Sequence, residues 1–446
     1  MHLLYSLVFT VGFIAALPYF LCQALLHRKY FAGVWQRFGV LPESLSSQPK
    51  ERVWIHAVSV GEVLAVLPLV QAVQARWPAR QLFISTVTLT GQALARKKLA
   101  SDIGVFYFPL DWRFAVRKSL DTVQPSIVLI AETEVWPNFL RECDERSIPV
   151  LLVNGRISDR SVSRYRAIKP FMRHVLKNIS FCCMQTELDS DRLLSLGADP
   201  AKVEVAGNLK YEIVAPRTLE AKTDEYRQLL GLPLNRFVVV AGSTMKDEEP
   251  LVLAAFERLL AVCPEAVLVI APRHPERFRE VEKLLSDRSV EYVKRSDLKP
   301  GTRGACKNRQ VLLLDSMGEL ATLYALASVV FIGGSLVPTG GHNILEPALF
   351  RRPMLFGPSM SNFREMSEYF LQHQAAVQVK SSVELGNELV RMFRDAELRQ
   401  QIGDRGHGIL MANRGAAQRI VNRIESVERT AKDVGRGANY EVRTGE

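Results

Sequence analysis

The 446-residue sequence has few cysteines and lacks the common metal-binding spacings. Its six cysteines form no C-x-x-C pair, and no cysteine–histidine cluster has the spacing of a zinc site. They lie mostly among apolar residues, which is typical of small buried side chains in a reducing compartment. We therefore expect neither a structural metal nor a disulfide framework.

The sequence also lacks a Walker lysine, a G-x-G-x-x-G motif, an internal repeat and a recognised nucleic-acid-binding motif. Its 57 Lys and Arg against 47 Asp and Glu give a net charge of +10. Without a nucleic-acid motif, this excess suits an anionic membrane surface or phosphorylated substrates. The length and the 48% hydrophobic content predict two globular domains.

Charge is absent from residues 3–26, LLYSLVFTVGFIAALPYFLCQALL. As a helix this segment is about 36 Å long, which exceeds a hydrocarbon core of about 30 Å. Only His2 precedes it, whereas Arg28 and Lys29 follow, the reverse of a signal peptide. This order predicts a single-pass anchor with the rest of the chain in the cytoplasm. The alternative is a buried or interfacial helix that does not span, and both place the protein at the membrane.

Two series of short apolar runs alternate with helix-length segments. The runs occupy residues 53–58, 81–86, 104–109, 126–132, 149–155 and 179–185, and then 237–243, 266–273, 311–316, 328–335 and 353–358. This pattern predicts an α/β protein with two doubly wound, Rossmann-like domains that face a cleft. We predict an anchor at 1–29, a first domain at 30–206, a linker at 207–230, a second domain at 231–425 and a polar tail at 426–446, disordered from about Lys432.

Acidic residues follow two predicted strands of the first domain. Ser59, Gly61 and Glu62 form a turn after 53–58, and Glu132 and Glu134 follow 126–132. Ligands bind beyond the carboxyl ends of strands in such sheets, so we expect these residues at a binding site. A carboxylate there can act as a general base, although a glutamate in the first turn of a helix is also ordinary dipole complementarity.

A run of cations follows the strand predicted at 149–155. Its members are Arg156, Arg160, Arg164, Lys169, Arg173 and Lys177, and their spacing places many of them on one side of a helix. Such a face is either simply solvated or suited to lipid phosphates, where each cation contributes roughly 1 kcal/mol. The spacing leaves both interpretations open.

Glycines and polar residues follow the strands of the second domain. Gly333, Gly334, Gly340 and Gly341 precede HNILEPA, which opens a helix, and glycine-rich backbone at a helix start offers N–H donors to a phosphate. Arg273 can meet a phosphate with its planar guanidinium, and Glu346 can accept hydrogen bonds from a ribose diol. His274 and His342 are either ligand contacts or packing residues.

Eight motifs together resemble the 3-deoxy-D-manno-octulosonic acid (Kdo) transferases, inverting enzymes of glycosyltransferase family 30 with the GT-B fold. They are WIHAVSVGE, AETEVWPN, NGRIS, GNLK, AGST, PRHPERF, SMGEL and GGSLVPTGGHNILEPA, between about Tyr30 and Arg423. The resemblance implies transfer of Kdo from CMP-Kdo to a lipid A precursor, lipid IVA, with release of CMP. The implied reaction belongs to lipopolysaccharide biosynthesis at the inner membrane and needs no metal and no cofactor besides the donor substrate CMP-Kdo.

The resemblance also implies roles for individual residues. It marks Glu62 as the general base. It places CMP contacts at Pro272, Arg273, Met317, Gly318, Glu319, Asn343, Ile344, Leu345 and Glu346. Candidates for contact with the acceptor or the sugar are Ser59, Gly61, Glu132, Glu134, Arg156 and Lys210. One departure is Met245, which stands where family members commonly have histidine.

Three other functions remain open. A nucleotide-sugar epimerase of the same fold is soluble, so the charge-free N-terminal segment argues against it. A membrane-anchored GT-B transferase could use another nucleotide sugar on a lipid acceptor, and a preference for UDP over CMP would identify it. A catalytically inactive scaffold is disfavoured because Glu62, Arg273, Asn343 and Glu346 are all present.

Overall fold

The computed structural model describes residues 2–27, 33–45, 51–214, 219–231, 233, 236–299, 302, 304–306 and 310–441, with backbone alone at 19–27, 220 and 432–441. They form two compact units, Met1–Glu212 with Asn413–Glu446, and Ile213–Ala412. The five cysteines whose side chains are described are buried, as expected, and Cys22 lies outside the described side chains.

The strands and helices alternate along most of the chain. The strands are β1 (Arg52–His56), β2 (Gln81–Thr86), β3 (Gly104–Tyr107), β4 (Ile127–Ala131), β5 (Val150–Gly155), β6 (Phe181–Met184), β7 (Val203–Val205), β8 (Val238–Thr244), β9 (Val267–Pro272), β10 (Tyr292–Lys294), β11 (Val311–Leu313), β12 (Val329–Ile332), β13 (Met354–Phe356) and β14 (Val377–Gln378). The helices are α1 (His2–His27), α2 (Val34–Arg37), α3 (Val60–Arg76), α4 (Leu89–Lys98), α5 (Arg113–Val123), α6 (Pro137–Glu145), α7 (Asp159–Ala167), α8 (Lys169–Leu176), α9 (Glu187–Ser195), α10 (Leu219–Leu230), α11 (Glu249–Leu260), α12 (Phe278–Asp287), α13 (Leu320–Leu326), α14 (Leu345–Leu349), α15 (Arg364–Gln372), α16 (Ser382–Arg394), α17 (Ala396–Ala412) and α18 (Ala416–Glu441).

Each unit contains a seven-stranded parallel sheet. The strand order is β3-β2-β1-β4-β5-β6-β7 in the first unit and β10-β11-β9-β8-β12-β13-β14 in the second. Helices cover both faces of the first sheet: Val53 and Ile55 pack towards α3 and α18, whereas Trp54 and Phe106 pack towards α5 and α6. Sheets buried on both faces have strands that are apolar throughout, which explains the continuous apolar runs. The α/β class and the two Rossmann-like sheets of a GT-B-like protein are therefore confirmed.

All eleven predicted strands are present, and three further strands were not predicted. The additional strands are all edge strands: β7 ends the first sheet, and β10 and β14 are the two edges of the second sheet. They have two or three residues each and are only partly buried. An edge strand this short needs no apolar run, so periodicity gives no indication of it.

The C-terminal helix α18 belongs to the first unit, whereas the predicted boundaries assign residues 416–425 to the second domain. Ala416, Ile420 and Ile424 lie on one stripe of the helix and are buried in the core of the first unit. Arg80 adds a bidentate ion pair with Glu428, at 2.9 and 3.0 Å. The backbone of the predicted tail continues this helix to residue 441, and residues 442–446 lie outside the described part.

The predicted linker at 207–230 is divided between the units. Residues 207–212 belong to the first unit, and α10 belongs to the second. Of the cations after β5, Arg160 and Arg164 lie on α7 and Lys169 and Arg173 on α8, instead of on a single predicted helix; Arg156 precedes α7 and Lys177 follows α8. The two helices meet at Ile168, because Pro170 is accommodated only in the first turn of a new helix.

Helix α1 packs one side against the first unit and leaves the other side exposed. The Trp112 Nε1–H donates to the Thr10 hydroxyl at 2.9 Å, and the Asn138 amide donates to the Ser6 hydroxyl at 3.0 Å. The rings of Phe9 and Phe13 contact the Trp112 ring edge to face. The opposite side exposes Leu3, Leu4, Leu7, Val8, Val11, Ile14 and Leu17, by 38–87%. Within the part of the chain that the structure describes, no helix combines the length and the hydropathy needed to cross a bilayer.

Candidate active site

Glu62 lies in the first turn of α3, directly beyond the carboxyl end of β1. Its side chain is 8% exposed, and its carboxylate accepts hydrogen bonds from the Val58 N–H at 2.8 Å and the Ser59 hydroxyl at 3.0 Å. Burial raises the pKa of Glu62 to about 7, although these two hydrogen bonds act to lower it. The charges of Glu132 and Glu134 add to the rise. A carboxyl with this pKa takes up a proton readily near neutral pH, which is what a general base requires.

The turn after β4 brings two further carboxylates to the same edge of the sheet. β1 pairs with β2 on one side and with β4 on the other, so the chain reverses its direction of winding between β1 and β4. Ligands of open parallel sheets bind at such a switch point. Glu132 turns the chain in the left-handed region (φ 55°), and burial and then Glu132 raise the pKa of Glu134. The structure therefore brings Glu62, Glu132 and Glu134 within electrostatic reach of one another.

The space above the Ser59–Glu62 turn is open. A Cβ placed on Gly61 would meet only the Ser59 hydroxyl, at 3.8 Å. The Arg156 N–H donates to the Thr133 hydroxyl at 3.2 Å, which joins the turn after β5 to the turn that carries Glu132 and Glu134. Arg156 itself is exposed. These predicted residues thus lie on neighbouring turns at one end of the sheet.

Three amide side chains that the sequence analysis missed fix the turn that carries Lys210. The Asn154 side-chain carbonyl accepts the Leu209 N–H at 2.9 Å, and the Gln185 amide donates to the Asn154 backbone carbonyl at 2.9 Å. The Asn208 amide donates to Gln185 at 2.8 Å. Lys210 is thereby tied to the ends of β5 and β6, and it has no ion pair among the described residues. The available indication in the sequence was an amide side chain at the end of each of two strands, Asn154 in β5 and Gln185 directly after β6.

In the second unit, Arg273, His342 and Glu346 lie close enough for their charges to interact. Burial and, to a smaller extent, the charges of Arg273 and His274 lower the pKa of His342 to about 4, so the imidazole is neutral. Its Nε2 is buried and has no hydrogen-bond partner in the described part of the chain. Burial raises the pKa of Glu346, although a hydrogen bond from Asn343 and the charge of Arg273 act to lower it. The Arg273 guanidinium is exposed, without an ion pair to a described carboxylate.

The glycine-rich loop 333–341 uses its N–H groups inside the protein. Gly333 donates to the Gly242 carbonyl, Gly334 to Glu248, Gly340 to the Ser359 hydroxyl and Gly341 to the Gly334 carbonyl, at 2.8, 2.6, 3.1 and 2.7 Å. The prediction that these glycines offer N–H donors to a phosphate is therefore wrong. The N–H groups of Asn343 and Ile344, directly before α14, have no acceptor among the described residues.

The remaining predicted CMP contacts differ in what they can offer. Met317 is 60% exposed, and Gly318 turns in the left-handed region (φ 88°) with open space around it. Burial acts to raise the pKa of Glu319, but hydrogen bonds from Ser316, Tyr226 and Arg295 lower it overall. Its carboxylate is thus engaged inside the unit. The side chains of Pro272, Ile344 and Leu345 are buried, so only their backbone is available to a ligand.

Met245, the departure from the resemblance, lies at the end of β8 beside two buried acids. Its N–H donates to Glu248 at 3.1 Å, and its side chain is half-buried. The neighbouring Glu249 forms a bidentate ion pair with Arg277, at 2.7 and 2.9 Å. This pair holds the loop that also carries Arg273. Neither Glu248 nor Glu249 was among the predicted site residues, because adjacent acids after a strand resemble an ordinary helix start.

Sequence comparison assigns the chain to a family. A family model described as 3-Deoxy-D-manno-octulosonic-acid transferase (kdotransferase) matches residues 32–213. The 3-deoxy-D-manno-octulosonic acid transferase of Haemophilus influenzae is 34% identical over 398 residues, which cover 89% of this chain and 92% of that protein. The chain belongs to the Kdo transferase family. This Kdo transferase is accordingly a glycosyltransferase, as the eight motifs implied.

Two solved structures are similar to this Kdo transferase. The C-terminal CMP-Kdo binding domain of WaaA from Acinetobacter baumannii is 32% identical and matches 44% of this chain and 99% of that chain, with a TM-score of 0.41. UDP-GlcNAc 2-epimerase from Neisseria meningitidis, bound to UDP-GlcNAc, is 14% identical and matches 84% of this chain and 100% of that chain, with a TM-score of 0.55. The second likeness shows the fold alone.

Proposed function

We propose that this Kdo transferase moves Kdo from CMP-Kdo to a lipid A precursor, lipid IVA, in lipopolysaccharide biosynthesis, with inversion and release of CMP. The family relationship supports the sugar that is transferred. The observation that carries the proposal is the state of Glu62, a carboxyl with a pKa of about 7 at the switch point of the first sheet. A carboxylate with this pKa suits a reaction in which the hydroxyl of the lipid acceptor attacks the sugar and gives up its proton.

The proposed reaction divides between residues of the two units. Glu62 accepts the proton of the acceptor hydroxyl as its oxygen forms a bond to the anomeric carbon of Kdo. The bond from that carbon to the phosphate oxygen breaks, and CMP leaves with the electron pair. Arg273 and the N–H groups of Asn343 and Ile344 stabilise the phosphate charge. We assign Arg156 and Lys210 to the Kdo carboxylate, with Ser59, Gly61, Glu132 and Glu134 near the acceptor.

Titration of Glu62 predicts how transfer depends on pH. The deprotonated carboxyl is the active form, so kcat/KM should reach a plateau above about pH 7. It should fall about tenfold for each pH unit well below that value, because one proton inactivates the base. Initial rates between pH 5 and 9 measure this profile, with Asp102→Asn, an exposed carboxylate in the same unit, as the control. A rate that rises as the pH falls would contradict this role.

Binding tests the donor independently of transfer. Titration calorimetry on the full chain should show saturable binding of CMP and much weaker binding of UDP. The opposite preference would favour a transferase that uses another nucleotide sugar on a lipid acceptor.

We also propose that the protein works at the cytoplasmic face of the inner membrane, attached through α1. The apolar side of α1 offers contact with lipid. Its docked side meets α8, where the His2 and His174 rings lie 5.0 Å apart and the Tyr5 and Phe171 rings 5.9 Å apart. Exposed cations lie on α8, on the preceding helix α7 and directly after α8: Arg160, Arg164, Arg166, Lys169, Arg173 and Lys177. None of them has an ion pair within the described residues, which suits lipid phosphates.

Introducing charge on the exposed side of α1 should release the protein from membranes. Leu7→Asp should lower vesicle binding about tenfold or more, because an exposed leucine that enters lipid contributes about 1.5–3 kcal/mol. Flotation with vesicles that contain phosphatidylglycerol measures the bound fraction. Leu188→Asp, at a 57% exposed leucine of α9, is the control. Equal flotation of both variants would argue against α1. Alkaline carbonate extraction separates a helix that spans, which stays bound, from one that lies in the interface.

A further inference from the structure

Glu248 is a fully buried carboxylate that the proposed reaction does not use. It precedes α11 and follows β8, the strand that pairs with β9 on one side and β12 on the other. β8 and β12 are therefore the strands at the switch point of the second sheet, where ligands of such sheets bind. A carboxylate buried at this position needs hydrogen-bond donors to offset the loss of water.

The donors are four backbone N–H groups, three of them consecutive. One oxygen of Glu248 accepts from Gly334 at 2.6 Å and from Met245 at 3.1 Å. The other accepts from Ser335 and Leu336, both at 3.0 Å. Consecutive N–H groups around a left-handed residue, here Gly334 (φ 68°), form a concave site for an anion. The anion in this site is a side chain of the protein.

The loop held by Glu248 leads directly to the proposed CMP contacts. The Gly334 carbonyl accepts the Gly341 N–H at 2.7 Å and the Thr339 hydroxyl at 2.9 Å, which closes the loop. Gly341 is followed by His342, Asn343 and Ile344, which begin α14. The close approach of the strands also requires glycine at 333, since a Cβ there would lie 2.3 Å from the Ser243 carbonyl oxygen. Glu248 thus anchors the first half of a loop whose second half reaches the donor site.

We propose that Glu248 is a positioning residue of the donor site: its carboxylate fills the N–H concavity at the β8–β12 switch point and holds residues 334–344 in their binding conformation before CMP arrives. The inference rests on the proposed function for the identity of the nucleotide. It assigns Glu248 no contact with substrate. An internal anion of this kind pre-forms the loop, so that the nucleotide does not have to order it on binding.

The Glu248→Gln variant tests this role. The side-chain NH2 of a glutamine would face backbone N–H groups from which it cannot accept hydrogen bonds, so some of the four hydrogen bonds are lost. A smaller fraction of the molecules then holds residues 334–344 in the conformation that binds CMP. Apparent affinity falls in proportion to that fraction, and we expect the Kd of CMP and the KM of CMP-Kdo to rise about tenfold or more. At saturating CMP-Kdo, kcat should stay within about threefold, because the bound donor selects the competent loop. Glu248→Asp, which keeps the charge at shorter reach, should be intermediate.

The matched control is Asp111→Asn in the first unit. Asp111 is also fully buried and accepts two backbone N–H groups, from Asn138 at 3.0 Å and Phe139 at 2.8 Å. It should lower thermal stability without changing the Kd of CMP. Normal CMP binding by Glu248→Gln, with a loss of stability like that of Asp111→Asn, would overturn the proposal and leave a purely structural role.

Hydrogen exchange of the wild-type chain gives a readout that does not depend on a variant folding. In the absence of nucleotide, the amides of residues 334–336 should already exchange as slowly as in the CMP complex. Protection that forms only when CMP is added would contradict pre-formation. If wild-type protein binds no CMP, the proposed donor fails; if it binds CMP and Glu248→Gln binds it equally well, only the present inference fails.

Discussion

Glu62→Gln is expected to lower the rate of transfer about 10²- to 10⁴-fold while leaving the Kd of CMP within about twofold. The glutamine keeps the shape of the side chain but cannot take the proton of the acceptor hydroxyl. Its amide can still accept the Val58 N–H and donate to the Ser59 hydroxyl, so the turn should be preserved. CMP affinity should be retained because the proposed CMP contacts belong to the second unit.

Thermal stability distinguishes a loss of catalysis in Glu62→Gln from misfolding of the variant. Folding raises the pKa of Glu62 from its ordinary value of 4.5 to about 7, so the folded state binds the extra proton between these values. The cost in folding free energy of burying the charged carboxylate is therefore fully present above about pH 7, and it disappears as the pH falls from about 7 towards 4.5. At pH 8 the variant should melt at the same temperature as the wild-type protein or higher. A large loss of CMP affinity would contradict the assignment, and Asp102→Asn should behave as wild type in both assays.

Arg273→Ala is expected to raise the Kd of CMP about tenfold to a hundredfold. A hydrogen bond to a charged group contributes about 1.5–3 kcal/mol, and the Arg273 guanidinium has no ion pair to a described carboxylate that would compete with the phosphate. Because Arg273 also lowers the pKa of His342, the variant should raise that pKa, which a histidine NMR titration would follow. Calorimetry at several salt concentrations measures the affinity, and the loss should shrink as salt rises.

The control for Arg273 is an arginine in the same unit that resembles it in exposure. Arg279 is exposed on α12 and has no ion pair within the described residues. Arg279→Ala should bind CMP like the wild-type protein. Equal losses in both variants would indicate a general effect of positive charge, and no loss in Arg273→Ala would remove this residue from the donor site.

Much of the fold can be predicted from the hydrophobic patterns of single short segments. Strands buried on both faces are continuous apolar runs, so β1, β4 and β8 could be predicted from their own residues. Helix α18 is different. Its stripe of Ala416, Ile420 and Ile424 predicts an amphipathic helix, but it does not specify which of two similar sheets the helix covers. That choice depends on packing between distant parts of the chain.

Some features of the candidate site could likewise be predicted from local sequence, whereas others depend on long-range packing. Position after a strand made Glu62, Glu132 and Arg273 candidates, because the carboxyl ends of parallel strands share one edge of the sheet. The pKa of Glu62 depends on burial, which the sequence does not give. The glycine-rich loop was predicted to bind phosphate because its composition allows it. The N–H groups of its glycines instead donate to acceptors inside the protein, and that of Gly334 donates to Glu248, 86 positions away in the sequence.

Transfer itself tests the central claim most directly. Detergent-solubilised full-length protein would be incubated with CMP-Kdo generated in situ and with tetraacylated lipid A precursor, and the lipid would be analysed by mass spectrometry. We predict that the lipid gains mass in whole Kdo units, that the gain requires CMP-Kdo, and that it is lost in Glu62→Gln. An unchanged lipid mass, with wild-type protein that is shown to be folded, would contradict the proposed donor and acceptor.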